Sequence, residues 1–459
     1  MRDERKKAIL RDPLRALMTA RVNRAGQVAL FAAACTAMFV AAMVLCAGMQ
    51  GTLVIALVSA LCLDILLWGA QAALGEESET AVWLCVALLC ALAIGAHLAM
   101  LEIKPGRWGK VLGPLLEEMW NYDLLTATAW EGGSWSGVYL LVCALVSRLE
   151  SFPQMTALKL FDLMCQCLCA AAVVRLAIAR RAKRTGAVAG MMACVLAPTM
   201  LLNAGCWLHC DATFAMFTLW GLVFILKDKP LAGCALWGLA LGTELQSAFL
   251  FPLLIPLFMK GKVSLRHLLA LAAAAVACQA AILLDRQGLS ALVMRYSLQL
   301  EDARQSIGLG DHAPGVFGLM KVASVREFSG MGLYFGIAAA LLVAMALLRT
   351  RGMPSAEVWL LGAWLLAAGL PLVLPQMNAR CLYLAGMLAF ALAGNARRMI
   401  ACGLLEFVSL CGYMASIFGA EILPISVLSL MAIAAALLIL LEATRAMQDT
   451  KEDIHGQAA

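Results

Sequence analysis

The sequence predicts an all-α fold: a polytopic membrane bundle of about 12 spanning helices, with one re-entrant hairpin and one interfacial helix. Three observations carry this expectation. Hydrophobic residues make up 63% of the 459 and the mean hydropathy is +0.87, which excludes a soluble globular protein. Apolar runs of ~20 residues, enough to cross a hydrocarbon core of ~30 Å as a helix, recur from Gln27 to Arg445. The basic residues behind the net charge of +6 sit in short segments beside those runs. There they set membrane orientation and give no sign of a nucleic-acid partner.

The elements follow in order. Residues 1–26 form a basic amphipathic arm with eight Lys or Arg residues and no cleavage-site pattern, expected in the cytoplasm against anionic membrane lipids. Spans at 27–48, 52–74 and 81–101 then leave the polar stretch 102–135 outside. Arg175, Arg180, Arg181, Lys183 and Arg184 draw the chain back inside, so only one crossing fits between 136 and 179. The run 156–178 has the length; Val138 to Val146 is too short and reads as the interfacial or re-entrant helix. Span 187–202 delivers Asn203–Asp211 to the outer face, and span 212–226 returns to Lys227 and Lys229.

Residues 230–259 lie between cytoplasmic lysines, with Lys260 and Lys262 on the far side, and 30 residues are too few for two crossings. Thr243-Glu244-Leu245-Gln246 interrupts them, which predicts two half-helices meeting at a polar tip, tolerable only if buried in protein or lining a cavity. Span 265–284 leads to an outer loop at 286–330. Spans 331–348 and 356–374 follow, with Arg349 and Arg351 inside between them, and a turn at 374–380 faces out. Spans 381–396, 400–418 and 423–443 return the tail 444–459 to the cytoplasm. The chain thus divides into the arm, three amino-terminal helices (27–101), a membrane core (102–396), two carboxyl-terminal helices (397–443) and the tail.

Seventeen cysteines suggest disulfides at first sight, but most lie inside apolar runs, as Cys165, Cys167 and Cys169 do. None has zinc-site spacing, and small apolar filler is the expected role. Cys206 and Cys210 are as well placed to pair as to stay free.

Asn203-Ala-Gly-Cys-Trp-Leu-His-Cys-Asp211 is a polar island between two apolar segments, and polar groups at membrane depth mark a site or a wet cavity. The hairpin tip, the loops 102–135 and 286–330, and the turn 374–380 share its outward placement. Asp64 and Asp162 are intramembrane acids, but a single hairpin without an inverted repeat argues against a transporter.

The run Pro198…Asn203-x-x-x-Trp207-x-x-x-Asp211 resembles the membrane-embedded GT-C glycosyltransferases, in particular bacterial relatives of the second mannosyltransferase of the glycosylphosphatidylinositol pathway. That family reads Asn-x-x-x-Trp-Gly-Gln-x-Asp here. Lys159-Leu-Phe-Asp162 is similar to the family's Lys-x-x-x-x-Phe-Asp helix. Leu245-Gln246 with Phe249 and Pro252 looks like its Lys-x-Gln hairpin tip, and Leu374-Pro375-x-Met377-Asn378-Ala379-Arg380 with Tyr383 like its Leu-Pro-x-Met-His-Glu-Arg-Tyr turn. The likeness covers roughly residues 100–395. It implies a GT-C fold in a bacterial cytoplasmic membrane and a polyprenyl-phosphate-linked sugar as partner.

Four landmark positions depart from that pattern. His209 replaces Gln, Glu244 replaces Lys, Asn378-Ala379 replaces His-Glu, and Arg107 stands where the family's first outer loop carries its acidic base. A guanidinium is always protonated and cannot accept a hydroxyl proton.

Sugar transfer needs a base for the acceptor hydroxyl and a cation or metal for the leaving phosphate. Asp211, Asp123, Glu117 and Glu118 are the candidate bases, against bland roles as a turn-forming Asp and a solvated acidic face. Arg380, Arg107 and Lys110 are the candidate phosphate ligands. Asn203, Trp207, His209, Glu244, Gln246 and Asn378 complete the expected substrate-binding set. No cofactor is implied. A divalent metal is possible, although His209 and Asp211 alone fall short of a site and form a hydrogen-bonded pair at least as readily. Trp207 reads as an interfacial anchor or a sugar platform, and Trp130, Trp135 and Tyr139 as a membrane-interface belt or part of an acceptor groove. Two readings stay open: a glycosyltransferase acting on an extracytoplasmic acceptor, or a catalytically degenerate relative that binds a lipid-linked glycan or a partner protein. A transporter or flippase is a distant third.

Overall fold

The computed structural model describes residues 50–75, 80–106, 108–128, 130, 137–149, 152–279, 296–297, 313–320 and 325–458. The arm 1–26, the span 27–48, most of the loop 286–330, Arg107 and Trp135 lie outside these. Among the described residues every regular element is helical and none is a strand.

The chain runs through α1 (Gln50–Leu74) and α2 (Thr80–Leu98) to a π-helical turn, Trp108–Leu112, that leads into α3 (Gly113–Trp120), α4 (Leu124–Thr128) and α5 (Gly137–Ser147). The long α6 (Gln154–Ala179) follows, then α7 (Arg184–Leu196), α8 (Pro198–Leu202), a second π-helical turn at Asn203–Trp207, and α9 (Asp211–Leu226). Next come α10 (Pro230–Leu241), a 3₁₀ segment Leu245–Leu253, α11 (Leu254–Met259), α12 (Leu265–Ala277) and α13 (Val316–Leu319). The carboxyl-terminal part holds α14 (Val325–Leu348), α15 (Ala356–Val373), a 3₁₀ turn Ala379–Leu382, α16 (Tyr383–Leu392), α17 (Ala396–Phe418) and α18 (Ile425–Ala458).

Eight of these segments are long and apolar enough to cross a membrane, and the chain is a multi-pass helical membrane protein. The expected spans at 212–226, 265–284 and 381–396 appear as shorter apolar helices (α9, α12, and α16 with its 3₁₀ lead-in). The expected hairpin is present: α10 and the 3₁₀ segment with α11 are two halves meeting at residues 242–244. The run Val138 to Val146 forms the short α5, as its length requires.

Packing order follows burial. The spanning windows of α6 and α15 are 72% buried and form the centre, while that of α14 is 22% buried and lies at the periphery. Leu88 on α2 and Leu342 on α14 are more than two-thirds exposed, which suits side chains facing lipid. Helix ends are closed by local chemistry. Ser355 accepts from Val358 N at the head of α15, Asn395 accepts from Arg398 N at α17, and Ser264 and His267 form a reciprocal capping box at α12.

Glycines let the hairpin pack tightly, as small residues do between membrane helices. A Cβ at Gly238 of α10 would lie 2.2 Å from the Leu271 carbonyl oxygen of α12, and one at Gly221 of α9 would lie 2.3 Å from Trp237 Cδ1. Gly238→Val is expected to push α10 off α12 and destabilise the protein by about 1–3 kcal/mol, read as a lower unfolding temperature in detergent; an unchanged temperature would mean this contact is not tight.

Polar groups collect at the two ends of the bundle. Arg398 at the start of α17 pairs with Glu442 of α18 at 3.0 Å and also with Glu357 at the start of α15. Asn395 donates to the same Glu442 at 2.6 Å. Arg180 caps the last carbonyls of α16, at Ala391 and Ala393. Tyr413 lies further along α17, ~22 Å from Arg398 at the helical rise. The Tyr413 end is where the polar island lies.

Candidate functional site

The island is set by an irregular helix end. After the π-helical turn Asn203–Trp207, Leu208 takes a left-handed conformation with φ 53°, a strain of about 1–3 kcal/mol for a non-glycine residue. Three consecutive side chains, His209, Cys210 and Asp211, then converge where α9 begins. Glu244 comes from the hairpin tip, in an extended conformation between the two helical halves. Arg380 comes from the 3₁₀ turn after α15, where Gln376 is also left-handed at φ 60°.

Asp211 is fully buried, and each of its oxygens accepts a hydrogen bond. Its Oδ2 accepts from Asn203 Nδ2 at 2.8 Å, and its Oδ1 accepts from Arg380 Nη1 at 3.1 Å. The same Nη1 donates to His209 Nδ1 at 2.8 Å, so Nδ1 carries a lone pair. The 3.3 Å approach of His209 Nδ1 to Asp211 Oδ1 is then two acceptors sharing one donor nitrogen. Burial, with the Arg380 guanidinium beside it, holds the His209 pKa below its usual value against the pull of Asp211 and Glu244.

Glu244 completes the cluster. Its Oε1 is 3.6 Å from Arg380 Nη1, and its Oε2 accepts from Cys210 Sγ at 3.3 Å. Its side chain is 12% exposed, whereas that of Asp211 is 0%. Of the two carboxylates, only Glu244 keeps any solvent-accessible surface. Two carboxylates face one guanidinium, so the cluster is net anionic.

A second polar layer lies beneath. Asn203 Nδ2 also donates to Tyr413 Oη at 2.8 Å, and Trp207 packs edge-on against the Tyr413 ring at 5.2 Å. Gln166 donates to Asp162 at 3.2 Å and to the Met200 carbonyl at 3.0 Å. Thr199 donates to Glu406 at 2.7 Å. Among the described residues, Asn203 Oδ1, Gln166 Oε1, Gln246 Oε1 and Tyr383 Oη are buried without a partner. Tyr413→Phe should cost about 0.5–1.5 kcal/mol through the lost Asn203 bond, seen as a small fall in unfolding temperature; a large fall would mean the tyrosine holds more than Asn203.

The first loop contributes packing. Leu112, Leu115, Leu116 and Met119 share one apolar cluster with Tyr139, Leu208 and Cys210, and Lys159 ties the loop down by donating to the carbonyls of Met100, Leu101 and Ile103. Glu117, Glu118 and Lys110 are exposed, and among the described residues no ion pair joins them to the cluster. Asp123 heads α4, its carboxylate accepting from Thr126 N at 2.8 Å and Thr126 Oγ1 at 2.7 Å. Asn378 lies at the head of the 3₁₀ turn and accepts from Cys381 Sγ at 3.3 Å. A cavity of about 700 Å³ lies beside this loop, not at the cluster, with Trp108, Trp120 and Phe152 in its lining.

The structure therefore joins Asn203, His209 and Asp211 with Glu244 and Arg380, and leaves Glu117, Glu118 and Lys110 apart. Tyr139, read as part of an interface belt or an acceptor groove, is 3% exposed and stacks on the His209 ring at 6.5 Å. Cys206 and Cys210 are both free thiols. Sequence reasoning missed Tyr413 and Glu406 and weighed Cys210 only as a possible partner of Cys206; the signal for Glu406 is an acid inside an apolar run. No protein-family model and no curated protein matches the chain.

Proposed function

We propose that this protein is a membrane glycosyltransferase of GT-C type, moving a sugar from a polyprenyl-phosphate donor to an extracytoplasmic acceptor. The observation that carries this reading is the meeting of Asn203, His209 and Asp211 with Glu244 and Arg380, three separate landmarks of the family resemblance drawn into one buried cluster. The sidedness is supported by the loops at the other bundle end, which hold Arg180, Lys183, Lys227, Lys229, Lys260, Arg349 and Arg351 and so mark the cytoplasm.

Each residue has a role in this reading. Glu244 takes the acceptor hydroxyl's proton as that oxygen bonds to the sugar's anomeric carbon. The carbon–oxygen bond to phosphate breaks and the polyprenyl phosphate leaves with its electron pair. Arg380 meets the leaving phosphate with a forked donor set. Asp211, closed to solvent, orients Arg380, which in turn holds His209. The aromatic-lined cavity beside α3 suits an acceptor sugar or a lipid chain.

Two observations favour the non-catalytic alternative: Arg380 is already engaged by two carboxylates, and Glu117 and Glu118 are exposed, apart from the cluster. Purified protein incubated with labelled polyprenyl-phosphate sugars and envelope glycan acceptors tests the choice. Transfer that Glu244→Gln abolishes supports the enzyme. Absence of transfer from every such donor, with unchanged envelope glycans in a deletion strain, would leave the binding reading.

A further inference from the structure

We infer that His209, Cys210 and Glu244 form a binding site for a borderline divalent transition metal of the Zn²⁺ class. Their ligand atoms all lie within 4.8 Å of one another. Cys210 Sγ is 3.3 Å from His209 Nδ1 and 3.3 Å from Glu244 Oε2. Tetrahedral zinc with bonds of ~2.0–2.3 Å requires ligand–ligand edges of about 3.3–3.8 Å. Two of the three edges are already at that spacing without a change of backbone.

The chain supplies the geometry at a visible cost. Adjacent residues in a helix or strand point their side chains apart. Here the left-handed Leu208 turns His209 and Cys210 onto each other, and the extended Glu244 reaches them from the hairpin tip. The Nδ1 atom holds the lone pair that a metal needs. On binding, Arg380 gives up its bond to Nδ1 and keeps Asp211. The Cys210 thiol releases one proton and its thiolate sulfur bonds the ion, with no change of oxidation state. Asp211, Glu244 and the thiolate then oppose Arg380 and the divalent ion, and the five charges sum to zero. A sulfur, a nitrogen and an oxygen select zinc-like ions over Mg²⁺ or Ca²⁺, which take oxygen ligands.

Three protein ligands leave a fourth position open, as in catalytic zinc sites. The ion's use there rests on the glycosyl-transfer reading: a leaving phosphate approaching a net anionic cluster needs a further cation, and the open position provides it. Ligation through Glu244 Oε2 leaves Oε1 to take the acceptor's proton. The ligand set itself does not depend on that reading.

The test uses full-length protein in detergent, stripped with a chelator and titrated with Co²⁺, whose thiolate complexes show a charge-transfer band in the near ultraviolet. One Co²⁺ per chain is expected. Cys210→Ser should lose the band and weaken binding by at least about tenfold, since even loss of an outer-shell partner costs that much. Cys206→Ser should leave both unchanged. If Cys210→Ser does not fold, Glu244→Gln serves, with the band kept and affinity reduced by a similar factor. No stoichiometric Co²⁺, or a band unchanged in Cys210→Ser, overturns the site. Stoichiometric binding without sugar transfer keeps the site and removes its proposed use. Full sugar transfer by metal-free protein keeps the enzyme and removes the ion from its mechanism.

Discussion

Arg380→Met is expected to be the most damaging single change in the protein. Arg380 is the counterion of fully buried Asp211 at 3.1 Å and of Glu244 at 3.6 Å. Removing one partner of a buried pair leaves the other charge uncompensated, at about 3–5 kcal/mol. The change also frees Nδ1 of His209, which accepts from the same guanidinium nitrogen at 2.8 Å. The variant should unfold at a markedly lower temperature and transfer no sugar. Arg380→Lys restores the charge but not the forked geometry, so it should recover more stability than activity. Wild-type stability in Arg380→Met would show that the cluster is not the ionic centre described above.

Glu244→Gln is expected to separate activity from stability. Glu244 is the less deeply buried member of the carboxylate pair, its side chain 12% exposed, and the amide keeps its size and one acceptor oxygen for Cys210. Asp211 still neutralises Arg380, so folding should change by less than about 1 kcal/mol, the scale of one hydrogen bond. Loss of a general base costs typically 10²–10⁴-fold in rate, and a fall of about that size is expected. Asp211→Asn should behave in the opposite way. It strips the buried anchor of Arg380, and through it the support of His209, so stability and activity should fall together.

Much of the architecture was legible in the chain because lipid imposes simple rules. The eight long helices overlap apolar runs read directly, and the interruption expected at Thr243-Glu244-Leu245-Gln246 falls at residues 242–244, with Leu245 and Gln246 already in the 3₁₀ segment. Runs such as 265–284 were harder. The described part of that element, α12, is 13 residues long, and local hydropathy does not say where a helix stops inside an apolar run.

The site was legible as fragments and not as an assembly. Asn203, His209, Asp211, Glu244 and Arg380 each stood out as polar groups among apolar ones. Their pairing across 169 residues, as between Arg380 and Asp211, is a tertiary fact without a local signature. Cys210 was weighed only as a possible partner of Cys206 because its ligand-like neighbour Glu244 lies 34 residues on. Tyr139 was read as an interface aromatic because only the fold puts His209 against its ring. Glu117 and Glu118 attracted a catalytic reading by position in the first loop, whereas the 3–4 spacing of Leu112, Leu115, Leu116 and Met119 already put them on the opposite face.

The account's central claim is that the cluster of Glu244 and Arg380 transfers a sugar. The direct measurement is release of free polyprenyl phosphate from a sugar-charged donor by purified wild-type protein, beside Glu244→Gln of equal unfolding temperature. The account predicts acceptor-dependent release by the wild type and a loss of at least about a hundredfold in the variant. Equal release by both proteins, or none by either with any charged donor, would contradict it.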